Sequence, residues 1–230
     1  MQLPDLATPE LAVRALARAA RGASGAEAVV YVVQGDAAPA FTSLPDTARW
    51  QALHRRSRPE APALRTTTLA NALQSSAVLV YAPRRLSSFE RLSLAGRALR
   101  ALHERRPSRL ALIIDARLPD AALWAEALLA AACAHSFALA SFRTTPARPW
   151  RLKSIDIYSS ARPDLKRAAA TARANNLARW LTALPPNKLD PAAYHRLLAQ
   201  LARRHGLKLR WYSEAQLKRL GAGAFLAVSQ

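Results

Sequence analysis

The chain has 230 residues, 51% of them hydrophobic, and carries 34 Lys and Arg against 15 Asp and Glu, a net charge of +19. That apolar content supports one large core or two small ones and excludes an intrinsically disordered chain. One cysteine, Cys133, excludes an internal disulfide, and its run "AEALLAAACA" assigns it to a core in a reducing compartment, the cytoplasm.

In chain order, "MQLPDLATPELAVRALARAARG" sets prolines and charges among short apolar steps. It offers neither a signal-peptide core nor a membrane span and reads as an amphipathic surface helix. Three continuous apolar runs, Ala28 to Val33, Ala77 to Ala82 and Leu110 to Ala116, read as strands buried on both faces of a parallel or mixed sheet. Ser87 and Glu90 have capping-box spacing, and Phe89, Leu92, Ala95, Leu99 and Leu102 recur at helical intervals until Pro107. A further helix is expected from Pro119 through Leu123, Trp124, Ala127, Leu128 and Ala131. Strands alternating with helices make the class α/β.

A proline-rich stretch then flanks an expected strand, Leu152 to Tyr158, which closes the first domain. From Pro163 a long helix is expected, with Leu165, Ala169, Ala172, Leu177, Trp180, Leu181 and Leu184 on one stripe and Arg167, Arg173 and Arg179 largely off it. Pro185 and Pro186 end it as a corner. Asp190 and Pro191 then form an N-cap and first-turn pair, followed by Tyr194, Leu197, Leu198 and Leu201, with Gly206 as the C-terminal cap. "LKLRWY" alternates as a half-buried strand, Glu214 to Leu220 reads as a short helix, and "AFLAV" as a final strand.

The charge is uneven. Residues 1 to 150 hold 19 basic and 11 acidic residues and residues 151 to 230 hold 15 and 4, so the excess is +8 and then +11. Two readings stand side by side. Clustered cations bind phosphate backbones, with Arg173, Arg179, Arg203 and Arg204 as the candidate nucleic-acid contacts. Alternatively, 29 arginines in an Ala- and Pro-rich chain reflect compositional drift and solvated helix faces.

Two blocks carry a family resemblance. Pro185, Pro186, Asn187, Leu189 and Pro191, and then Leu220, Gly221, Gly223, Ala224, Leu226, Ala227, Val228 and Gln230, resemble two blocks of the cytosolic leucyl aminopeptidase family at matching separation. Ala183 and Ala222 depart from it, where the family has Asn and Met. The resemblance implies a macro-like N-terminal α/β domain over 1–160, a linker helix over 161–186, and the first, incomplete elements of an α/β catalytic domain over 187–230. It further implies a hexameric cytoplasmic metallopeptidase that removes N-terminal residues from peptides with two zinc or manganese ions. The family's catalytic and metal-binding residues lie beyond its counterpart of Gln230, so none is assigned here. The chain alone is expected to bind no such ions, to show no activity, and to represent a truncation that is poorly soluble or associates, because its last strand is left uncovered.

The residues agree with that absence. A two-metal hydrolase needs several converging carboxylates, yet no acidic residue follows Glu214. Asp115 and Asp120 read as a strand-end residue and a helix first-turn charge. His54, His103, His135, His195 and His205 form no H-E-x-x-H pattern and no ligand spacing with Cys133. Gly221-Ala-Gly223 is expected to be a tight turn rather than a dinucleotide loop. Gly35-Asp36 lacks the accompanying segments of ADP-ribose-binding macro domains. The alternative function is a non-enzymatic basic α/β module that binds nucleic acid or serves oligomer assembly.

Overall fold

The computed structural model describes residues 3–35, 41, 44–57, 60–145 and 150–227, and the chain divides into two units, Asp5–Ala183 and one built on Leu184–Gln230. The first unit opens with strand β1 (Glu10–Arg14), a 3-10 turn (Leu16–Arg18) and helix α1 (Ala19–Ala23). The surface helix expected here is therefore a strand over Glu10–Arg14. Leu11, Ala12 and Val13 lie opposite Ile155, Asp156 and Ile157 in a parallel ladder. A short segment preceded by Pro4 and Pro9 nucleates helix poorly, and pairing with an existing sheet edge supplies the backbone bonds instead.

Next come β2 (Ala28–Gln34), α2 (Thr47–Ser57), β3 (Ala63–Thr68), β4 (Ser76–Ala82), α3 (Ser88–Arg100), β5 (Arg109–Ile114), α4 (Ala121–Ser136), β6 (Ser154–Tyr158) and α5 (Leu165–Thr182). Among the described residues six strands form one sheet in the order β1-β6-β5-β2-β4-β3. Of these, β3, an edge strand, is antiparallel to its neighbour and the other pairs are parallel. The mixed α/β sheet expected from the apolar runs is thus present.

The sheet is covered on both faces. Val30, Val32, Val78, Val80, Leu112 and Ile114 share one core with Ala95, Leu99, Trp124 and Leu128 of α3 and α4, and Ala172 of α5 joins it. Val29, Tyr31, Val33, Leu79, Tyr81 and Ile113 face the other core, with Ala19 and Ala23 of α1 and Trp50 of α2. This two-sided burial follows from parallel strands whose crossovers lay helices on the faces.

The capping box of α3 is formed: Ser87 Oγ accepts from the Glu90 N–H at 3.2 Å, and the Ser87 N–H donates to Glu90 Oε2 at 2.8 Å. Its buried face is Leu94, Ala95, Ala98 and Leu99. Phe89 and Leu92, expected on the core stripe, are exposed. Helix α4 starts at Ala121, two residues later than expected, with Asp120 at the N-cap and Pro119 before it.

In the second unit Lys188 N–H and Leu189 N–H both donate to the Pro185 carbonyl, closing the double-proline corner. Helix α6 (Pro191–His205) has the expected ends: Asp190 Oδ1 accepts from the Ala193 N–H at 2.6 Å, Pro191 opens the first turn, and Gly206 closes it with φ 64°. Leu197 is buried on α6, whereas Tyr194 is exposed. Helix α7 (Glu214–Arg219) carries a Ser213/Gln216 capping box, and Gly221 turns the chain with φ 67°.

Two expectations fail. "LKLRWY", Leu207 to Tyr212, forms no strand, and Leu207, Leu209 and Trp211 stay exposed. Alternation alone is insufficient, because a strand exists only when a neighbour accepts its backbone bonds. "AFLAV" is likewise no strand over its described residues: Gly223–Ala227 is helix α8. Ala and Leu favour helix, and i to i−4 bonds are available without a partner. Residues 228–230 lie outside the described residues.

Two outcomes test this packing. A Cβ at Gly22 would overlap the Tyr158 hydroxyl, so Gly22→Ala should lower stability by about 1–3 kcal/mol in urea unfolding, with partial recovery in the Gly22→Ala/Tyr158→Phe double variant. In hydrogen exchange, the amides of Lys208 to Tyr212 should exchange orders of magnitude faster than those of β2, whereas Leu207 N–H is held by the Ala202 carbonyl at 2.8 Å; protection of 208–212 equal to β2 would contradict the unpaired state.

Candidate functional site

Five parallel strands, β1, β6, β5, β2 and β4, end along one edge of the sheet, where open α/β sheets hold ligands in crevices between loops. At the ends of β1 and β6 a cavity of about 690 Å³ is lined by Arg14, Leu16, Ser159, Arg162, Asp164 and Lys166. A second, of about 400 Å³, is lined by Leu118, Asp120, Leu123 and Ala161, and Ser160 borders both. Most polar groups here already have partners. Arg14 Nε donates to Asp156 Oδ1 at 2.7 Å, and Asp164 Oδ1 caps α5 by accepting the Arg167 N–H at 3.0 Å.

Beside this edge, just past the end of β5, sits a buried carboxylate that accepts four hydrogen bonds. Asp115 is 5% exposed. Its Oδ1 accepts from Arg117 Nε at 3.0 Å and the Arg117 N–H at 2.9 Å; its Oδ2 accepts from Arg117 Nη2 at 2.7 Å and the Tyr31 hydroxyl at 3.1 Å. Burial raises the carboxyl's pKa, but the Arg117 bonds and charge, with the Tyr31 hydroxyl, outweigh it and hold Asp115 below the usual Asp range. Tyr31 moves the opposite way, because burial and the Asp115 charge disfavour its phenolate. An ionised carboxylate saturated with donors, beside a phenol that keeps its proton, is a clamp between β5 and β2 rather than an acid/base pair.

Several other buried titratable groups are held as well. His54 Nδ1 lies 2.9 Å from the Tyr81 hydroxyl, whose pKa burial pushes up to about 12. Burial raises the Cys133 thiol to about 11, which keeps it protonated and inert. His103 and His135 lie 6.2 Å apart between ring centroids, with Trp150 edge-on to His103. Burial lowers His135. Among the described residues no group of three or more His, Cys, Asp or Glu converges. That donor set does not fit a pair of metal ions.

The arginines singled out from the sequence fall into different environments. Arg179 Nη1 donates to the Ala134 carbonyl at 2.8 Å and to Asn176 Oδ1 at 3.0 Å, so it fastens α5 to α4. Arg173 is exposed on α5, and Arg203 and Arg204 are exposed in the last turn of α6, where cations are favoured by the helix dipole. Asp120 is at the expected helix end but its side chain makes an ion pair with Arg91 at 2.7 Å instead of a cap. The Asp115–Arg117–Tyr31 clamp was not anticipated. Its available signal was an Asp-x-Arg step directly after an apolar strand.

The comparisons with known proteins can be set against this geometry. No family model matches the chain. A probable cytosol aminopeptidase of Parasynechococcus marenigrum (strain WH8102) is 41% identical over 92 residues, which covers 39% of this chain and 19% of that protein. One from Prochlorococcus marinus (strain MIT 9313) is 36% identical over 114 residues, 48% of this chain and 23% of that protein. The fold matches that of a tomato leucine aminopeptidase variant with a TM-score of 0.69, at 15% identity over 96% of this chain and 48% of that one. It also matches the bottromycin maturation enzyme BotP in complex with Mn, with a TM-score of 0.62 at 22% identity over 86% of this chain and 40% of that one. The matched stretches amount to about a fifth of the length of the curated relatives. The class is therefore an α/β sheet unit of the kind found in leucine aminopeptidases. The matches support membership of the leucyl aminopeptidase family.

The Asp115 clamp has a direct test. Asp115→Asn should cost about 2 kcal/mol in denaturant unfolding at pH 7, since charge-assisted bonds from Arg117 are lost. Because the folded-state pKa lies below the unfolded value, this contribution is fully present above about pH 4–5 and is lost as pH falls through the folded pKa. The variant should therefore lose less stability than the parent between pH 5 and pH 2, in ~unit steps of a pH titration followed by circular dichroism.

Proposed function

We propose that this chain is the N-terminal part of a leucyl aminopeptidase-type hydrolase that releases N-terminal amino acids from peptides in the cytoplasm. The observation that carries it is the 36–42% identity to probable cytosol aminopeptidases from several bacteria. On this reading residues 1–160 are the macro-like α/β domain, 161–186 the linker helix and 187–230 the opening of the catalytic domain. The active protein would be a hexamer using two zinc or manganese ions. The described residues supply no converging donor set for those ions, so hydrolysis is assigned to residues other than these, and the α/β unit has a supporting role.

The test is an assay of two proteins with leucyl-p-nitroanilide, each with manganese or zinc: the 230-residue chain, and the same chain joined to the C-terminal part of the Prochlorococcus relative. The chain alone should release no product, and the fusion should release it in a metal-dependent way. A folded, metal-loaded fusion with no activity on any aminoacyl amide would overturn the reading.

Binding of duplex DNA is a second reading, favoured by the exposure of Arg173, Arg203 and Arg204. Affinity should then fall with salt at a log–log slope of about −0.9 per phosphate neutralised. Charge reversal at those three should flatten the slope, whereas Arg179→Glu should mainly lower stability. No binding at about 50 mM salt would leave compositional drift as the account of the charge.

A further inference from the structure

Helix α4 packs against both α3 and α5, and side chains of all three border one groove of about 280 Å³. Its apolar lining is Leu92, Leu123, Ala127, Ala130 and Ala168. Leu92 and Leu123 are 47% and 45% exposed, and Phe89, three residues before Leu92 and so on the same face of α3, is 79% exposed. A cavity of about 150 Å³ is enough to hold a benzene ring, so the groove admits a leucine or phenylalanine side chain from outside. Gly96, two helical turns beyond Phe89, extends the same face. A Cβ added there would meet nothing within 4 Å, so no packing inside the described chain calls for glycine, although glycine weakens a helix relative to alanine. Its bare backbone leaves room for another chain to come close.

The charge on these helices is unbalanced. The carboxylates on them and at their N-caps are already held: Glu90 by the Ser87 capping box, Glu126 by Arg167, Asp120 by Arg91, and Asp164 by the Arg167 N–H. Exposed cations have no such counterpart. Arg84 and Arg85 lie just before α3, Arg97 and Arg100 in its last turn, and Lys166 and Arg173 on α5, all exposed and none in an ion pair among the described residues. The apolar patch of Phe89 and Leu92 therefore has unpaired arginines at both ends. Arg100, three turns beyond Phe89, shares its side of α3. Such a surface attracts an acidic partner and repels a second copy of net charge +19. A flat lipid surface would leave the hollow unfilled, whereas an amphipathic helix laid along α3 would fill it with one side chain, the helix-in-groove mode of recognition.

We propose that the α3/α4/α5 face docks an acidic amphipathic helix of another protein, with one of its leucine or phenylalanine side chains in the groove and its Asp or Glu residues on Arg97 and Arg100. This is independent of the peptidase reading, because it concerns the α/β unit alone and is read by binding rather than by turnover. The probe is a labelled synthetic helix of about 16 residues, with Leu and Phe at i, i+3, i+4 and i+7 and Glu between them. Fluorescence anisotropy with the 230-residue chain should give a dissociation constant of about 1–100 μM at about 50 mM salt, weakening as salt rises. A scrambled peptide of the same composition, and one with Lys for Glu, should bind at least tenfold more weakly. Phe89→Ser, Ala130→Trp, Gly96→Glu and the pair Arg97→Glu/Arg100→Glu should each weaken binding at least tenfold with unchanged circular dichroism. The pair Arg203→Glu/Arg204→Glu, on α6, should weaken it far less. No binding up to about 1 mM, equal binding of the scrambled peptide, or indifference to Phe89→Ser and Ala130→Trp would overturn the proposal. So would phosphatidylserine vesicles bound with the same dependence on Phe89 and Ala130, or a dimer of the chain that excludes the peptide.

Discussion

The central strand β2 pairs in parallel with β4 on one side and β5 on the other, and its residues Ala28 to Val33 are all buried. A parallel strand cannot be joined to its neighbour by a tight turn; each connection must cross over the sheet, and the crossover helix covers a face. That constraint produces the layers. Successive side chains of β2 point alternately into the α3/α4 core and into the α1/α2 core, so each of its large residues has a facing helix to answer it.

Covering both faces leaves polar groups inside, and their partners locate the loops. Trp50 Nε1 donates to the Pro45 carbonyl at 2.9 Å and Trp150 Nε1 to the Pro107 carbonyl at 2.6 Å. Asn176 Nδ2 reaches the Cys133 carbonyl at 3.1 Å, which ties α5 to α4. Arg91 is buried beneath α3, paired with Asp120 and 6.0 Å from the Trp124 ring centroid, and its Nε has no hydrogen-bond partner among the described residues. An unmet buried donor costs about 1–3 kcal/mol; the ion pair and the Trp124 contact offset it. The same economy explains why the strand-end edge is chemically quiet. Asp115, a deeply buried carboxylate there, spends its oxygens on Arg117 and Tyr31.

The blocks that relate this chain to leucyl aminopeptidases also have local physical roles. Pro185, Pro186 and Asn187 enter a turn closed on the Pro185 carbonyl, Pro191 opens the first turn of α6, and Gly221 supplies a positive φ after α7. These residues shape the backbone. None of them is a group able to perform hydrolysis.

Much of this was legible from residues alone, and the legible part is local. Apolar runs rich in β-branched residues, too apolar to face water, determine β2, β4 and β5, and the strand expected over Leu152 to Tyr158 is β6; Ser87 with Glu90, and Asp190, Pro191 and Gly206, determine helix ends, because caps bond to backbone groups within a few positions. The mixed α/β class follows from their alternation. Features that depend on a distant partner were decided only by the tertiary structure. Glu10–Arg14 becomes a strand because β6 offers it an edge, and Leu207 to Tyr212 remains unpaired because no described strand does. Phe89 and Leu92 face outward because α3 packs on Leu94 and Leu99 instead. Asp115 meets Tyr31 across 84 positions, and the functional residues of a site are gathered over such separations, which spacing in a single sequence does not encode.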